Sequence, residues 1–64
     1  MSLNQFERIA LENEKRALQS EMNLVTQQIA SRGGGLNSQT WDLQTRRQSI
    51  DAQIQAVDAR LRHN

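Results

Sequence analysis

The sequence predicts an all-α fold: an antiparallel two-helix hairpin of coiled-coil character, dimerising into a four-helix bundle. Three observations predict it. Gly33-Gly34-Gly35 is the only cluster of helix breakers and lies almost at the midpoint of the 64 residues. The segments on either side are built of helix formers and contain no proline. Each segment repeats apolar residues at seven-residue spacing. A glycine inside a helix costs roughly 1 kcal/mol relative to alanine, so three in a row mark a place where helices end.

The elements follow in chain order. Ser2 and Gln5 have the spacing of a capping box, in which each side chain satisfies the other residue's backbone amide. Helix 1 is therefore expected over about residues 3–32, with Gly33 as its left-handed cap and 33–35 as the turn. Asn37 or Ser38 would cap helix 2, which is expected over about residues 37–62. With Asn37 as the cap, Leu36 and Trp41 fall at the two ends of a hydrophobic staple. Asp42 in the first turn, and Arg60 and Arg62 in the last, complement the helix dipole.

Helix 2 carries the sharpest periodicity. Leu36, Leu43, Ile50 and Val57 recur every seven residues, and Thr40, Arg47, Ile54 and Leu61 form a second series offset by four. Together they fill the d and a positions of a coiled-coil seam, interrupted only by Thr40 and Arg47. In helix 1 the matching seam runs through Leu11, Leu18, Met22, Val25 and Ile29, with Arg8 and Lys15 in the remaining inward slots. Beside it lies another strip, Leu3, Ala10, Ala17 and Leu24, again at heptad spacing and flanked by Phe6 and Ile9. One partner helix cannot cover both strips. The second is therefore read as a dimer interface formed by Leu3, Phe6, Ala10, Ala17 and Leu24, with the orientation of the two hairpins left open.

Size points the same way. A chain this short buries only about 60% of the surface its unfolded form exposes, so its core is marginal. Disulfides, a structural metal or association are the usual remedies. With no cysteine and a single histidine, His63, the first is impossible and the second is disfavoured.

Charge sets the register. Antiparallel pairing of g edges would bring Glu7 to Arg60, Glu14 to Gln53, Glu21 to Arg46, and Gln28 to Gln39. The opposite edge is poorer, with Glu12 expected near Asp51. Local i,i+4 support is expected from Glu12 with Arg16, Asp42 with Arg46, and Asp58 with Arg62. Arg47, in an inward slot, has three readings: it snorkels, it acts as a specificity device paired with Glu21, or it holds a ligand between the helices. Trp41 lies off the seam and is the candidate contact for a protein partner, Trp being enriched in interface hot spots. Arg47 is the second candidate.

These features exclude several function classes. Nucleophilic triads, metal-ligand spacings and paired acid–base carboxylates all lack parts, so neither an enzyme nor a cofactor or metal protein is expected. The triple glycine is followed by Leu-Asn-Ser rather than Lys-Ser/Thr, which rules out a phosphate-binding loop. A formal charge of +1 gives no field to draw nucleic acid or membrane. No apolar run is long enough to span a bilayer and the N-terminus has no signal-peptide core, so a cytoplasmic location is expected. The expected role is a small protein-interaction module: an adaptor, inhibitor or accessory regulator of the size class carried by phages and plasmids. Two rival readings stand beside it. In shape alone the chain resembles the Rop-type plasmid RNA modulators, short helical hairpins that pair into four-helix bundles, which implies RNA or DNA binding. No motif is shared residue by residue, and Asp51 and Asp58 interleave with the cations of helix 2. A small secretion-type chaperone is the other rival, since these too are helical hairpins.

Overall fold

A computed structural model describes residues 3–35 and 37–62. It consists of two α-helices, α1 (Gln5–Ser31) and α2 (Trp41–Arg62), packed along their length as a hairpin with extents of 45 × 15 × 12 Å. Among the described residues the seam holds every buried apolar side chain. Leu11, Leu18, Val25 and Ile29 of α1 are buried against Ile50 and Val57 of α2. Met22, Leu43, Ile54 and Leu61 pack half-buried at its margins. The heptad spacing in each helix delivers these side chains to one stripe, as a two-helix seam requires. Leu36, the remaining expected seam residue, lies outside the described residues.

Both helices begin later than their sequence spacing suggests. α1 is capped by Asn4: its Oδ1 accepts from the Glu7 backbone N–H at 2.8 Å, and its Nδ2 donates to Glu7 Oε1 at 3.0 Å. The cap thus forms two residues beyond Ser2, which itself lies outside the described residues, and the return bond comes from the Asn4 side chain rather than its backbone amide. An asparagine accepts from the N3 amide at least as well as a serine. At the other end, the Gly34 N–H bonds to the Ile29 carbonyl at 2.9 Å and the Gly33 N–H to that of Ala30 at 3.3 Å. These two bonds form a Schellman motif, with Gly33 at φ +105° as its left-handed residue. Gly34 also has positive φ, at +79°.

The turn into α2 runs to Thr40 instead of ending at Asn37. Asn37 Oδ1 accepts from the backbone N–H groups of Gln39 (2.8 Å) and Thr40 (3.0 Å), the bonds of the expected N-cap, and with the Asn37 N–H donating to the Thr40 hydroxyl they close a capping box over a turn that leads into α2. The Thr40 carbonyl accepts the first helical bond, from Gln44 N–H at 2.8 Å. The Thr40 hydroxyl donates to the Gly35 carbonyl at 2.5 Å and accepts from the Asn37 N–H at 3.1 Å. Thr40 is fully buried. The residue that interrupts the seam by sequence is therefore the one that ties the loop to it.

Two ion pairs join the helices among the described residues. Arg46 donates to Glu21 Oε1 through Nη2, and through Nε at 3.1 Å, and Lys15 Nζ lies 2.5 Å from Asp58 Oδ1. Counting from Glu21–Arg46 brings Leu18 within one residue of Ile50 and Leu11 within one residue of Val57, so polar edge and apolar seam agree on one register.

Candidate interaction surface

The strip on the far side of α1 from the seam is open. Phe6 is 82% exposed, Leu24 55% and Ile9 46%, and Ala10 and Ala17 between them are exposed as well. At 100° per residue the strip is centred roughly 120–150° around α1 from the seam, beyond the reach of α2. Leu3 departs from the expected set: it is half-buried and packs against the hairpin core. Its position just ahead of the Asn4 cap is non-helical, so the heptad count that placed it on the outer strip does not extend to it.

No charged residue falls on the strip. Between Phe6 and Gln27 its inner positions are Ala10, Asn13, Ala17, Ser20 and Leu24. Glu7, Glu14 and Glu21 line one flank, and Ile9, Arg16 and Asn23 the other. A large aromatic and a leucine near the ends, with small side chains between, allow another helix to approach closely along the middle.

The other nominated side chains are dispersed. Trp41 is 59% exposed at the first residue of α2, and its presumed staple partner Leu36 is not among the described residues. Arg47 is exposed on an open groove that also presents Met22, Thr26, Gln44, Gln48 and Asp51. Its expected partner Glu21 bonds Arg46 instead, and Arg47 makes no ion pair with it. The a position turns the Arg47 head toward water at the groove, while Arg46, at g, points across the edge.

The remaining charge expectations are partly replaced. Glu7 is engaged by Asn4 at the cap, and Gln53 Nε2 donates to Ser49 Oγ at 3.4 Å. Arg46 and Asp58 bond across the hairpin rather than to Asp42 and Arg62. An i,i+4 pair on an open helix face contributes only a few tenths of a kcal/mol, and a partner on the facing helix is less hydrated. Lys15, like Arg8 and Arg47, falls in an inward slot of the seam by spacing. Its side chain instead leaves the seam to meet Asp58, supplying a cation to the edge that Glu12 and Asp51 make acidic.

Among the described residues no group of three or more His, Cys, Asp or Glu side chains is placed to hold a metal ion, and no helix is long and apolar enough to cross a membrane. The fold and its open strip define the class, a helical hairpin with one face left to fill. Comparison with known proteins adds no relative: no family model, curated protein or solved structure matches the chain.

Proposed function

We propose that this chain is a non-enzymatic protein-interaction module that works as a homodimer of helical hairpins, its four helices assembled through the outer strip of α1. The observation that carries this reading is the strip itself, with Phe6, Ile9 and Leu24 exposed on a face free of charge. Surface area supports it. The hairpin exposes 4907 Å², whereas a compact monomer of 7.3 kDa would expose about 4,200 Å² by the usual scaling with mass. The excess, about 700 Å², is close to the ~800 Å² that each partner contributes to a standard interface. The core reasons likewise: its six buried apolar side chains leave a lone hairpin marginal, and association is the remedy open to a chain without cysteine.

In this reading Trp41, on the outside of α2, is offered to a further protein. Two of the cations that would otherwise suggest nucleic acid, Lys15 and Arg46, are occupied by carboxylates. The chain would thus act as an adaptor or accessory regulator rather than as an RNA modulator or a chaperone.

Sedimentation equilibrium over a concentration series tests the reading. A dimer is expected at micromolar protein, and Ala17→Glu should dissociate it because an unpaired carboxylate would be buried at the interface. Ala59→Glu on the outside of α2 should leave it intact. A single helical species near 7.3 kDa throughout, or dissociation by Ala59→Glu alone, would refute it. A mobility shift selecting one RNA fold at nanomolar protein would favour the nucleic-acid reading instead.

A further inference from the structure

Resting on that homodimer, we infer that the second copy lies against α1 in parallel and in register, α1 beside α1, with the two α2 helices on the outside. Three features of the strip carry the orientation. The first is its flanks. Taken as a heptad of its own, the strip has Ala10, Ala17 and Leu24 at a, and Phe6, Asn13 and Ser20 at d. Glu7, Glu14 and Glu21 then occupy e, and Ile9, Arg16 and Asn23 occupy g. A parallel pair brings each g residue to the e residue five positions on in the other chain, and so Arg16 to Glu21 of the second copy, twice by symmetry. An antiparallel pair brings e to e and g to g. It would set the Glu7–Glu14–Glu21 row against its own copy and Arg16 beside Arg16.

The second feature is Asn13, the amide in the middle of the strip. In a parallel pair it faces itself, and one amide can donate while the other accepts. In an antiparallel pair that matches Phe6 with Leu24 it faces Ala17, leaving its donors and acceptor without partners in a buried layer. A single buried asparagine is a known device for fixing register and strand orientation. The third is the angle. A square bundle needs the two contacts of each helix a quarter-turn apart, but the strip lies farther than that from the seam. The hairpin faces flanking the seam are moreover mostly polar, one presenting Glu12, Lys15, Arg16 and Gln19 beside Leu61. The copies therefore stack through α1, and Glu21 serves two arginines: Arg46 of its own chain and Arg16 of the other.

The chain has no cysteine of its own, which makes disulfide mapping direct. Ala10→Cys, Ala17→Cys and Leu24→Cys, each in the full chain, would be oxidised mildly at a concentration where sedimentation shows a dimer, with Ala52→Cys on α2 as control. In the parallel arrangement all three strip variants cross-link to themselves, because each lies opposite its own copy at disulfide distance. Self-cross-linking by none of the three, with mixed Phe6→Cys and Leu24→Cys chains joining to each other, would mean an antiparallel pair. That result overturns the inference and leaves the homodimer standing. No cross-link in any strip variant, alone or in that mixture, of a protein that sediments as a dimer would move the interface off α1. A monomer at every concentration would remove the homodimer itself. Arg16→Gln gives a second, independent readout. It weakens a parallel dimer several-fold, more at low salt, but tightens an antiparallel one by relieving Arg16 against Arg16.

Discussion

Replacing Thr40 with valine separates two accounts of the seam by the sign of the effect. Thr40 occupies an a position, where a coiled-coil pattern favours a β-branched apolar residue. Exchanging its hydroxyl for a methyl group would bury one more apolar group, a gain of up to about 0.8 kcal/mol. The structure predicts the reverse. The hydroxyl donates to the Gly35 carbonyl and accepts from the Asn37 N–H, and the residue is fully buried at the start of α2. Leaving its two loop partners unpaired costs about 1–3 kcal/mol where water cannot replace the hydroxyl. Net of the methyl gain, Thr40→Val should destabilise by about 1–2 kcal/mol. For a domain of this size each kcal/mol lowers Tm by roughly 4–8 °C, so a fall of roughly 5–15 °C is expected. Thermal melts followed by circular dichroism at one fixed protein concentration measure it, since association also shifts Tm. Thr40→Ser keeps the hydroxyl and should recover most of the loss. A Thr40→Val protein that melts at or above the parent temperature would refute the account of the turn.

Other substitutions test the remaining parts. Gly33→Ala puts a Cβ on a residue at φ +105°, and should cost roughly 1–2 kcal/mol in urea unfolding. Gly35→Ala, where φ is not positive and an added Cβ meets nothing within 4 Å, should be neutral or stabilise slightly. Val25→Ala and Leu24→Ala are sequence neighbours with opposite expectations. Val25, 1% exposed, should lose about 2 kcal/mol of stability. Leu24, 55% exposed in the hairpin, should show its effect in the dimer dissociation constant by sedimentation. A double-mutant cycle on Lys15→Met and Asp58→Asn should give a coupling of about 0.5 kcal/mol, halved or lost in molar salt. A coupling near zero at low salt would mean the pair contributes nothing to register.

Most of the hairpin is legible in the heptads because burial in a two-helix seam depends on angle alone, and spacing along an α-helix sets angle. Leu11, Leu18, Val25, Ile29, Ile50 and Val57 could be named as inward-facing before any packing was known. The triple glycine marked the turn for an equally local reason, since only glycine adopts the conformation of Gly33 at no steric cost. Glu21–Arg46 was legible too, once the turn had set the antiparallel register.

What spacing could not decide were the contests between partners of similar strength. Asn4 and Ser2 both stand three residues ahead of a suitable Glu or Gln, and nothing in the spacing singles out Asn4, which caps α1. Asn37, Ser38 and Thr40 are all competent to cap α2. Asn37 makes the capping bonds, Thr40 answers it from three residues on, and the first α-helical bond follows at the Thr40 carbonyl. Arg46 and Asp58 each had a partner four residues away, and took one on the facing helix. In each case the local options differ by a few tenths of a kcal/mol, less than the desolvation and geometry that packing two helices together imposes. Periodicity along one helix therefore determined which faces would be apolar. The position of the second helix decided which polar groups met, and left the strip from Phe6 to Leu24 open.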